Sequence, residues 1–196
     1  MKYLIKKILK EETQGVDSFL SKISEKYPEF DEFKDKVEEF IDKSECQKIE
    51  FANFKMPVMG LALHDGVMIN NMAISRGLPY LLFVIFHEVA HQYQFKKYGA
   101  EKMYECYQDE TDIDSAADFM KKTELVADEF ASKKIKQLAK MGYISSSFIP
   151  PKYYQNVPIQ QIKMMVQGFR NQMRSQNISS PEKISELFYN LVKNKI

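Results

Sequence analysis

The first forty residues alternate apolar and polar positions with the period of a helix. Between about Tyr3 and Lys43, aromatic and aliphatic residues recur at steps of three and four, while acids and lysines fill the positions between them. This spacing predicts amphipathic helices. Pro28 lacks a backbone N–H, and we expect it to divide the region into two helices.

The pattern changes between Gln47 and Ser75. Short β-prone runs, which read IEFANF, VMGLAL and VMINNMAI, are interrupted there by glycine or proline. Within LALHDGVMIN, Asp65-Gly66 separates two apolar runs and predicts a hairpin turn. We therefore expect a small sheet in this part of the chain.

The most apolar segment is LPYLLFVIFHEVAHQYQFKKYG, from Leu78 to Gly99. Pro79 is tolerated in the first turn of a helix, so a long helix is predicted to begin near Gly77. Gly99 is expected to end it, and the two lysines before that glycine suit the negative end of the helix dipole. The apolar run from Leu78 to Phe86 is too short to cross a bilayer.

The rest of the chain predicts three further helices. An acidic stretch, YECYQDETDID, is expected to form a loop. Ser115 is then expected to cap a helix that runs to about Met141, with Gly142 beyond its end. A loop rich in serine and proline separates it from two amphipathic helices, predicted over about Pro158–Gln176 and Pro181–Lys195. Together these patterns predict an α+β protein in which helices dominate.

Composition, charge and the N-terminal sequence add further expectations. A chain of 196 residues, 44% of them hydrophobic, can bury the core of one domain. Residues 1–132 carry a net charge of −8 and residues 133–196 a net charge of +9, so the basic end either binds an acidic partner or nucleic acid, or docks on the acidic body. Cys46 and Cys106 fit no metal-ligand spacing and suggest thiols in a reducing compartment, although one disulfide stays open. No cleavage site follows the basic N-terminus, and a soluble cytoplasmic protein is expected.

Two of the three histidines lie in the sequence HEVAH, inside the apolar segment. His87 and His91 are four residues apart and share one face of a helix, so both imidazoles can bind the same ion. Glu88 flanks such an ion without occupying its open position. Zn²⁺ held in this way lowers the pKa of its bound water to about 7, and Glu88 can accept the proton. The motif therefore predicts a Zn²⁺ cofactor and Glu88 as the catalytic residue.

A catalytic zinc site needs a third protein ligand. The stretch TELVADEFA places Glu124 and Asp128 four residues apart on a predicted helix. Glu124 is expected to bind the metal, and Asp128 to hydrogen-bond a histidine ligand from the second shell of the site. Glu110 and Asp114 have the same spacing in DETDID, but they lie in a less amphipathic stretch and are the second choice.

HEVAH followed some thirty residues later by ELVAD resembles the gluzincins, which are zinc metallopeptidases with a glutamate ligand on a second helix. The stretch from Ala127 to Ala131 is similar to the E-x-x-A-[DN]-x-F-A pattern of small ImmA/IrrE-like peptidases (minigluzincins). The resemblance covers about residues 56–140. It implies a zincin-like fold with a small antiparallel sheet before the active-site helix, whose edge strand pairs with substrate backbone. The run GVMINNMAI fits that edge strand.

The resemblance also implies a histidine or tyrosine that donates a hydrogen bond to the tetrahedral intermediate. His64, near the predicted hairpin turn, and Tyr153 are the candidates for this oxyanion donor. A histidine beside a hairpin turn is, however, more often a turn or surface residue than an oxyanion donor. The tyrosines that compete with these two are Tyr93, Tyr98, Tyr143 and Tyr154.

The expected function is therefore that of a zinc-dependent metalloendopeptidase acting on a peptide or protein substrate. The alternative is a zincin-like regulatory or binding module that is restricted to one partner. SprT-like proteases combine H-E-x-x-H with DNA binding, but this chain lacks the cysteine quartet of their zinc ribbon, which disfavours nucleic acid. We expect one compact unit with an N-terminal helical segment (1–50), a catalytic core (51–145) and a basic helical segment (146–196).

Overall fold

A computed structural model describes residues 15–46, 48–55, 58–108 and 111–192. Within them the chain is mostly helical and carries one three-stranded sheet. This architecture confirms the predicted α+β class. The predicted helical positions before residue 15, and Glu110, lie outside the described residues.

The N-terminal region is helical on both sides of Pro28, as predicted. Residues 15–26 belong to helix α1, a 3₁₀ helix spans Pro28–Glu32, and α2 spans Lys34–Asp42. The apolar faces of α1 and α2, which include the buried Leu20 and Ile41, join one cluster with the long helix described below. The first helices are therefore part of the main core.

The sheet is mixed, with the strand order β1-β3-β2. Its strands are β1 (Ile49–Ala52), β2 (Gly60–Leu63) and β3 (Gly66–Asn70). Strands β2 and β3 form an antiparallel hairpin, whereas β1 pairs with β3 in parallel. The expectation of a purely antiparallel sheet is wrong, because the chain turns back between β1 and β2 and only then enters the hairpin.

The hairpin differs from the sequence-based expectation in two details. Its turn residues are His64 and Asp65, because Gly66 already pairs with Leu63 as the first residue of β3. Strand β3 is the central strand and not the edge strand. All its residues are buried, with Val67 facing the main core and Met68 facing the opposite cluster. Within the described chain, β2 is the edge strand nearest the histidine helix.

Helix α4 (Leu78–Tyr98) crosses the centre of the molecule. Its ends agree with the prediction: Pro79 lies in its first turn, and Gly99 follows its last residue with φ +80°. A short helix α3 (Asn71–Ile74) connects β3 to it. Helix α4 is apolar on nearly all sides, as a helix must be when neighbours surround it.

Helix α6 (Ile113–Lys140) packs along α4. It begins earlier than predicted, because the side chain of Asp112 and not that of Ser115 caps it. The Asp112 carboxylate accepts the Ser115 backbone N–H at 3.0 Å. Fully buried alanines, including Ala127 and Ala131, keep the surface of α6 small within the core. Between the two long helices, α5 (Ala100–Tyr104) and a 3₁₀ turn (Glu105–Tyr107) occupy part of the stretch predicted as loop.

The two C-terminal helices, α7 (Ile159–Ser175) and α8 (Pro181–Val192), begin within one residue of their predicted starts. Helix α7 packs on α6, and α8 covers the face of the sheet that Met68 occupies. Lys163 of α7 forms an ion pair with Asp114, which joins the basic segment to the acidic body. No helix among the described residues has both the length and the apolar character that a bilayer span needs.

The cap of α6 gives a direct test of its start. Replacing Asp112 with alanine should lower the free energy of unfolding by about 1 kcal/mol, because a backbone N–H loses its acceptor. Ser115→Ala keeps that N–H and should change stability by less than about 0.5 kcal/mol. Urea denaturation of both variants measures the difference. A larger loss for Ser115→Ala than for Asp112→Ala would contradict the assigned cap.

Candidate metal centre

Three ligand atoms converge where α4 crosses α6. Helix α4 contributes His87 and His91, whose Nε2 atoms lie 3.2 Å apart. Helix α6 contributes Glu124, whose Oε2 atom lies 3.1 Å from Nε2 of His87 and 3.6 Å from Nε2 of His91. In the described chain these residues form the one group of three ligand-type side chains close enough to share an ion.

The spacing of these atoms fits a tetrahedral metal ion. Ligand atoms placed 2.0–2.1 Å from Zn²⁺ at tetrahedral angles lie about 3.3 Å from one another. The three observed separations, 3.1, 3.2 and 3.6 Å, bracket that value. Two imidazoles and one carboxylate are also a common ligand set for catalytic zinc. The residues that are present therefore fit the predicted cofactor.

Asp128 holds the ring of His87 in place. Its Oδ1 atom lies 3.0 Å from Nδ1 of His87 and accepts the N–H of that nitrogen. The other oxygen of Asp128 accepts the backbone N–H of Tyr154 at 3.3 Å. With the proton on Nδ1, Nε2 of His87 keeps its lone pair for a metal. Asp128 thus occupies the position that the sequence predicted for it.

Gln94 holds the ring of His91, and the sequence analysis missed this residue. The Gln94 side-chain amide donates to the Thr123 carbonyl at 2.8 Å, which leaves its Oε1 atom facing His91. That oxygen accepts Nδ1–H of His91 at 2.8 Å. The available signal was its position three residues after His91, on the same face of a buried helix.

Glu88 lies between the metal-ligand group and strand β2. Its side chain is buried against Gly60, where an added Cβ would come within 2.4 Å of Glu88 Oε1. Burial raises the pKa of Glu88, while the nearby charges of His87 and His91 and a backbone hydrogen bond from Ala62 lower it; the net direction is upward. Glycine inside the strand VMGLAL was the sequence signal for this close approach.

The cluster binds a proton tightly when no metal is bound. Burial alone would lower the pKa of His87, but hydrogen bonds to Asp128 and Glu124 outweigh it and raise the pKa to about 10. Burial would raise the pKa of Glu124, yet His91 and His87 hold it well below its usual range. The site that favours this proton is also the site that a metal ion would occupy.

A cavity of about 540 Å³ opens onto the cluster. Residues of helix α4 and strand β2, together with Tyr153 and Tyr154, belong to its lining. Its far end is apolar and is formed largely by the C-terminal helices and α5–α6, with Met165, Phe169 and Phe188 among the lining residues. The volume lies within the range of small-molecule and peptide pockets.

The remaining predicted site residues lie in different places. Asp114 is exposed and pairs with Lys163, so it takes no part in the cluster, and Glu110 lies outside the described residues. His64 does not line the cavity; its Nδ1 atom hydrogen-bonds the Ser185 hydroxyl at 2.7 Å and so attaches the hairpin turn to α8. Its proposed role as oxyanion donor loses support, because it faces another helix.

The tyrosines separate in the same way. Tyr143 stacks on an aromatic ring in the core, Tyr93 donates to a carbonyl of α2, and Tyr98 is exposed. Tyr153 lines the cavity, but its hydroxyl is hydrogen-bonded to that of Tyr80 at 2.6 Å. Tyr154 also lines the cavity, and no described residue hydrogen-bonds its hydroxyl.

No family model, curated protein or solved structure matches this chain. The geometry and chemistry of the site are therefore the observations that bear on its function. Cys46 and Cys106 are free, buried thiols, and Cys106 belongs to the lining of the cavity.

The proton held by the cluster makes metal binding depend on pH. An ordinary imidazole has a pKa of about 6.5, whereas His87 has a pKa of about 10 in the folded, metal-free protein. Between these values an incoming ion must displace a proton, so the Kd for Zn²⁺ should fall about ten-fold for each pH unit from 7 to 9. Competition with a chromophoric chelator measures it. A Kd that is constant above pH 7.5 would contradict the tight hydrogen bonding of His87.

Proposed function

We propose that this protein is a zinc-dependent metallopeptidase that hydrolyses peptide bonds in a peptide or protein substrate. The observation that supports this most strongly is the convergence of His87, His91 and Glu124 beside Glu88 in one cavity. Zn²⁺ bound by these three ligands would polarise a substrate carbonyl and lower the pKa of a coordinated water to about 7.

Glu88 is suited to carry the proton. Its carboxyl group adjoins the ligand cluster, and burial raises its pKa above the usual value, which makes it a stronger proton acceptor. Glu88 accepts a proton from the attacking water and delivers it to the leaving amine. Because Gly60 has no side chain, the Glu88 carboxyl group can lie directly against strand β2.

The free edge of β2 is suited to hold an extended substrate. Leu63 and Gly66 form the pair next to the hairpin turn, so the backbone groups of Gly60 and Ala62 point away from β3. The Ala62 N–H is hydrogen-bonded to Glu88, which leaves the Ala62 carbonyl and both backbone groups of Gly60 for a substrate strand. The lining of the cavity includes this strand. A peptide that adds to β2 as a further strand would pass Glu88 and the ligand cluster. We therefore propose that the substrate pairs with β2 and not with the run GVMINNMAI.

Tyr154 is the tyrosine best placed to donate to the developing oxyanion. Its backbone N–H is bound to Asp128 of the metal centre, and its side chain faces the cavity. Burial, together with the charges of Glu124 and Glu88, raises the pKa of Tyr154, so its hydroxyl keeps its proton. We therefore assign the donor role to Tyr154 in preference to His64 or Tyr153.

A second candidate function is a partner-restricted module that binds zinc and cleaves no general substrate. The low exposure of the site favours it, since His87, Glu88 and His91 are 8%, 7% and 9% exposed. Chelator-sensitive, Glu88-dependent cleavage of a generic peptide library distinguishes the two, because a restricted module leaves the library intact.

In either case the free thiols of Cys46 and Cys106 suit a reducing compartment, and we propose a cytoplasmic location.

The role of Glu88 predicts a separation of metal binding from hydrolysis. Glu88→Gln should bind one equivalent of Zn²⁺ with unchanged stoichiometry and lose at least about a hundred-fold in kcat, because the amide cannot accept a proton. Glu101→Gln removes an exposed carboxylate from α5 and is the control, with activity and metal content expected to match the wild type. Metal analysis and peptide hydrolysis are measured on the same preparations. Full activity in Glu88→Gln would contradict the mechanism.

The assignment of Tyr154 predicts unequal effects for two neighbouring tyrosines. Tyr154→Phe should lower kcat by about ten- to a hundred-fold with little change in metal affinity, since it removes one donor to the oxyanion. Tyr153→Phe is the matched variant and should lower kcat much less, because its hydroxyl is already bonded to Tyr80. Steady-state kinetics on one fluorogenic peptide compares them. A larger loss in Tyr153→Phe would reverse the assignment.

A further inference from the structure

The cavity has one cationic side chain besides the histidines. Arg76 precedes α4, is exposed, and belongs to the lining of the cavity. Among the described residues that line the cavity, no other lysine or arginine is present. Arg76 also forms no ion pair with a carboxylate of the described chain, since none lies within 4.0 Å.

Tyr80, which is itself hydrogen-bonded to Tyr153, holds the guanidinium group in place. Nη1 of Arg76 donates to the Tyr80 hydroxyl at 3.1 Å, and the guanidinium carbon lies 5.1 Å from the centre of the Tyr80 ring. The Tyr80 hydroxyl is in turn hydrogen-bonded to that of Tyr153 at 2.6 Å. These contacts use one donor of the guanidinium group and leave others for a ligand, and a carboxylate is the partner that its planar fork matches best.

The arrangement of β2 and α4 indicates which end of a substrate would reach Arg76. Gly60 lies against Glu88, and the Leu63 carbonyl accepts a hydrogen bond from Gln92, so β2 and α4 advance in the same direction. A peptide paired with β2 in the antiparallel sense runs the opposite way, and its C-terminal part points toward Tyr80 and Arg76. Tyr80 precedes Glu88 by two helical turns, about 12 Å along the axis. An extended chain covers that distance in about three or four residues.

We propose that Arg76 selects substrates that carry a carboxylate on the C-terminal side of the cleaved bond, two to four residues beyond it. The position of the carboxylate rests on the proposed peptidase function, whereas its binding by Arg76 does not. The carboxylate is either the free C-terminus of a short peptide or the side chain of Asp or Glu. Arg76 is a specificity-determining residue in this account, and it does not contact the reacting atoms.

Two synthetic decapeptide libraries test the proposal with the zinc-loaded full chain. One library has free C-terminal carboxylates and the other has C-terminal amides, and both contain Asp and Glu at all randomised positions. Mass spectrometry maps the cleaved bonds. We expect cleaved peptides to carry a carboxylate two to four residues after the cleaved bond. Enrichment confined to the free-acid library identifies the C-terminus as the ligand, and equal enrichment of Asp or Glu in both libraries identifies the side chain.

Substitutions then connect the preference to Arg76. For the best peptide, Arg76→Gln should lower kcat/KM by about ten-fold, the effect of losing a hydrogen-bonded charge. The version of that peptide in which an amide replaces the carboxylate should be equally poor for both proteins. Lys97→Gln removes a cation from the far end of α4, outside the cavity lining, and should leave kcat/KM unchanged.

A binding measurement keeps this result separate from the peptidase proposal. The zinc-loaded Glu88→Gln variant is immobilised and exposed to both libraries. Fluorescence anisotropy then measures the affinity of the retained peptides for Glu88→Gln and for the double variant that also carries Arg76→Gln. Retention of carboxylate peptides that depends on Arg76, without any cleavage by the wild type, would support Arg76 and contradict the peptidase. Cleavage without a carboxylate preference would do the reverse. The proposal is overturned if no peptide is retained or if Lys97→Gln weakens binding as much as Arg76→Gln.

Discussion

Helices α4 and α6 meet over an interface that is apolar except where buried hydrogen bonds join them. Asp128 of α6 accepts from His87, and Gln94 of α4 accepts from His91 while donating to the Thr123 carbonyl of α6. A buried polar group without a partner costs about 1–3 kcal/mol. The two bonds that join the helices, His87 to Asp128 and Gln94 to the Thr123 carbonyl, therefore constrain the depth and rotation of one helix against the other. Because both rings are held through Nδ1, the Nε2 atoms of His87 and His91 are directed at the same point.

The other elements keep this point dry and accessible from one side. The N-terminal helices share one apolar cluster with α4, and Phe40 of α2 contacts both Phe86 and Tyr93. Strands β2 and β3 also pack against α4. The Gln92 side chain donates to the Leu63 carbonyl, which ties the hairpin to α4 within four residues of Glu88. The C-terminal helices form the apolar end of the cavity. Water exclusion of this kind strengthens electrostatic interactions inside a site.

Local sequence signals predicted most of the helices and the residues of the cluster. Gly77, Pro79 and Gly99 define a helix through backbone properties that depend on no distant contact. The four-residue spacings of His87 with His91 and of Glu124 with Asp128 are also local, since each pair shares a face of its own helix. The meeting of these two faces was a hypothesis about packing, and the structure brings them together.

The features that sequence did not predict depend on contacts between distant segments. Strand order is one of them, because nothing local to β1 states that it pairs in parallel with β3. Gln94 is another, since its role needs the Thr123 carbonyl from a different helix. His64 was considered for the site because of its residue type, and only the position of α8 shows that Ser185 binds it instead.

An anomalous X-ray map of crystals grown with zinc, recorded at the zinc absorption edge, tests the central claim most directly. We predict a single strong peak within bonding distance of Nε2 of His87, Nε2 of His91 and the Glu124 carboxylate, with Glu88 beside it and unbound. A peak coordinated by other residues, or none at this crossing with the two imidazoles turned apart, would contradict the account.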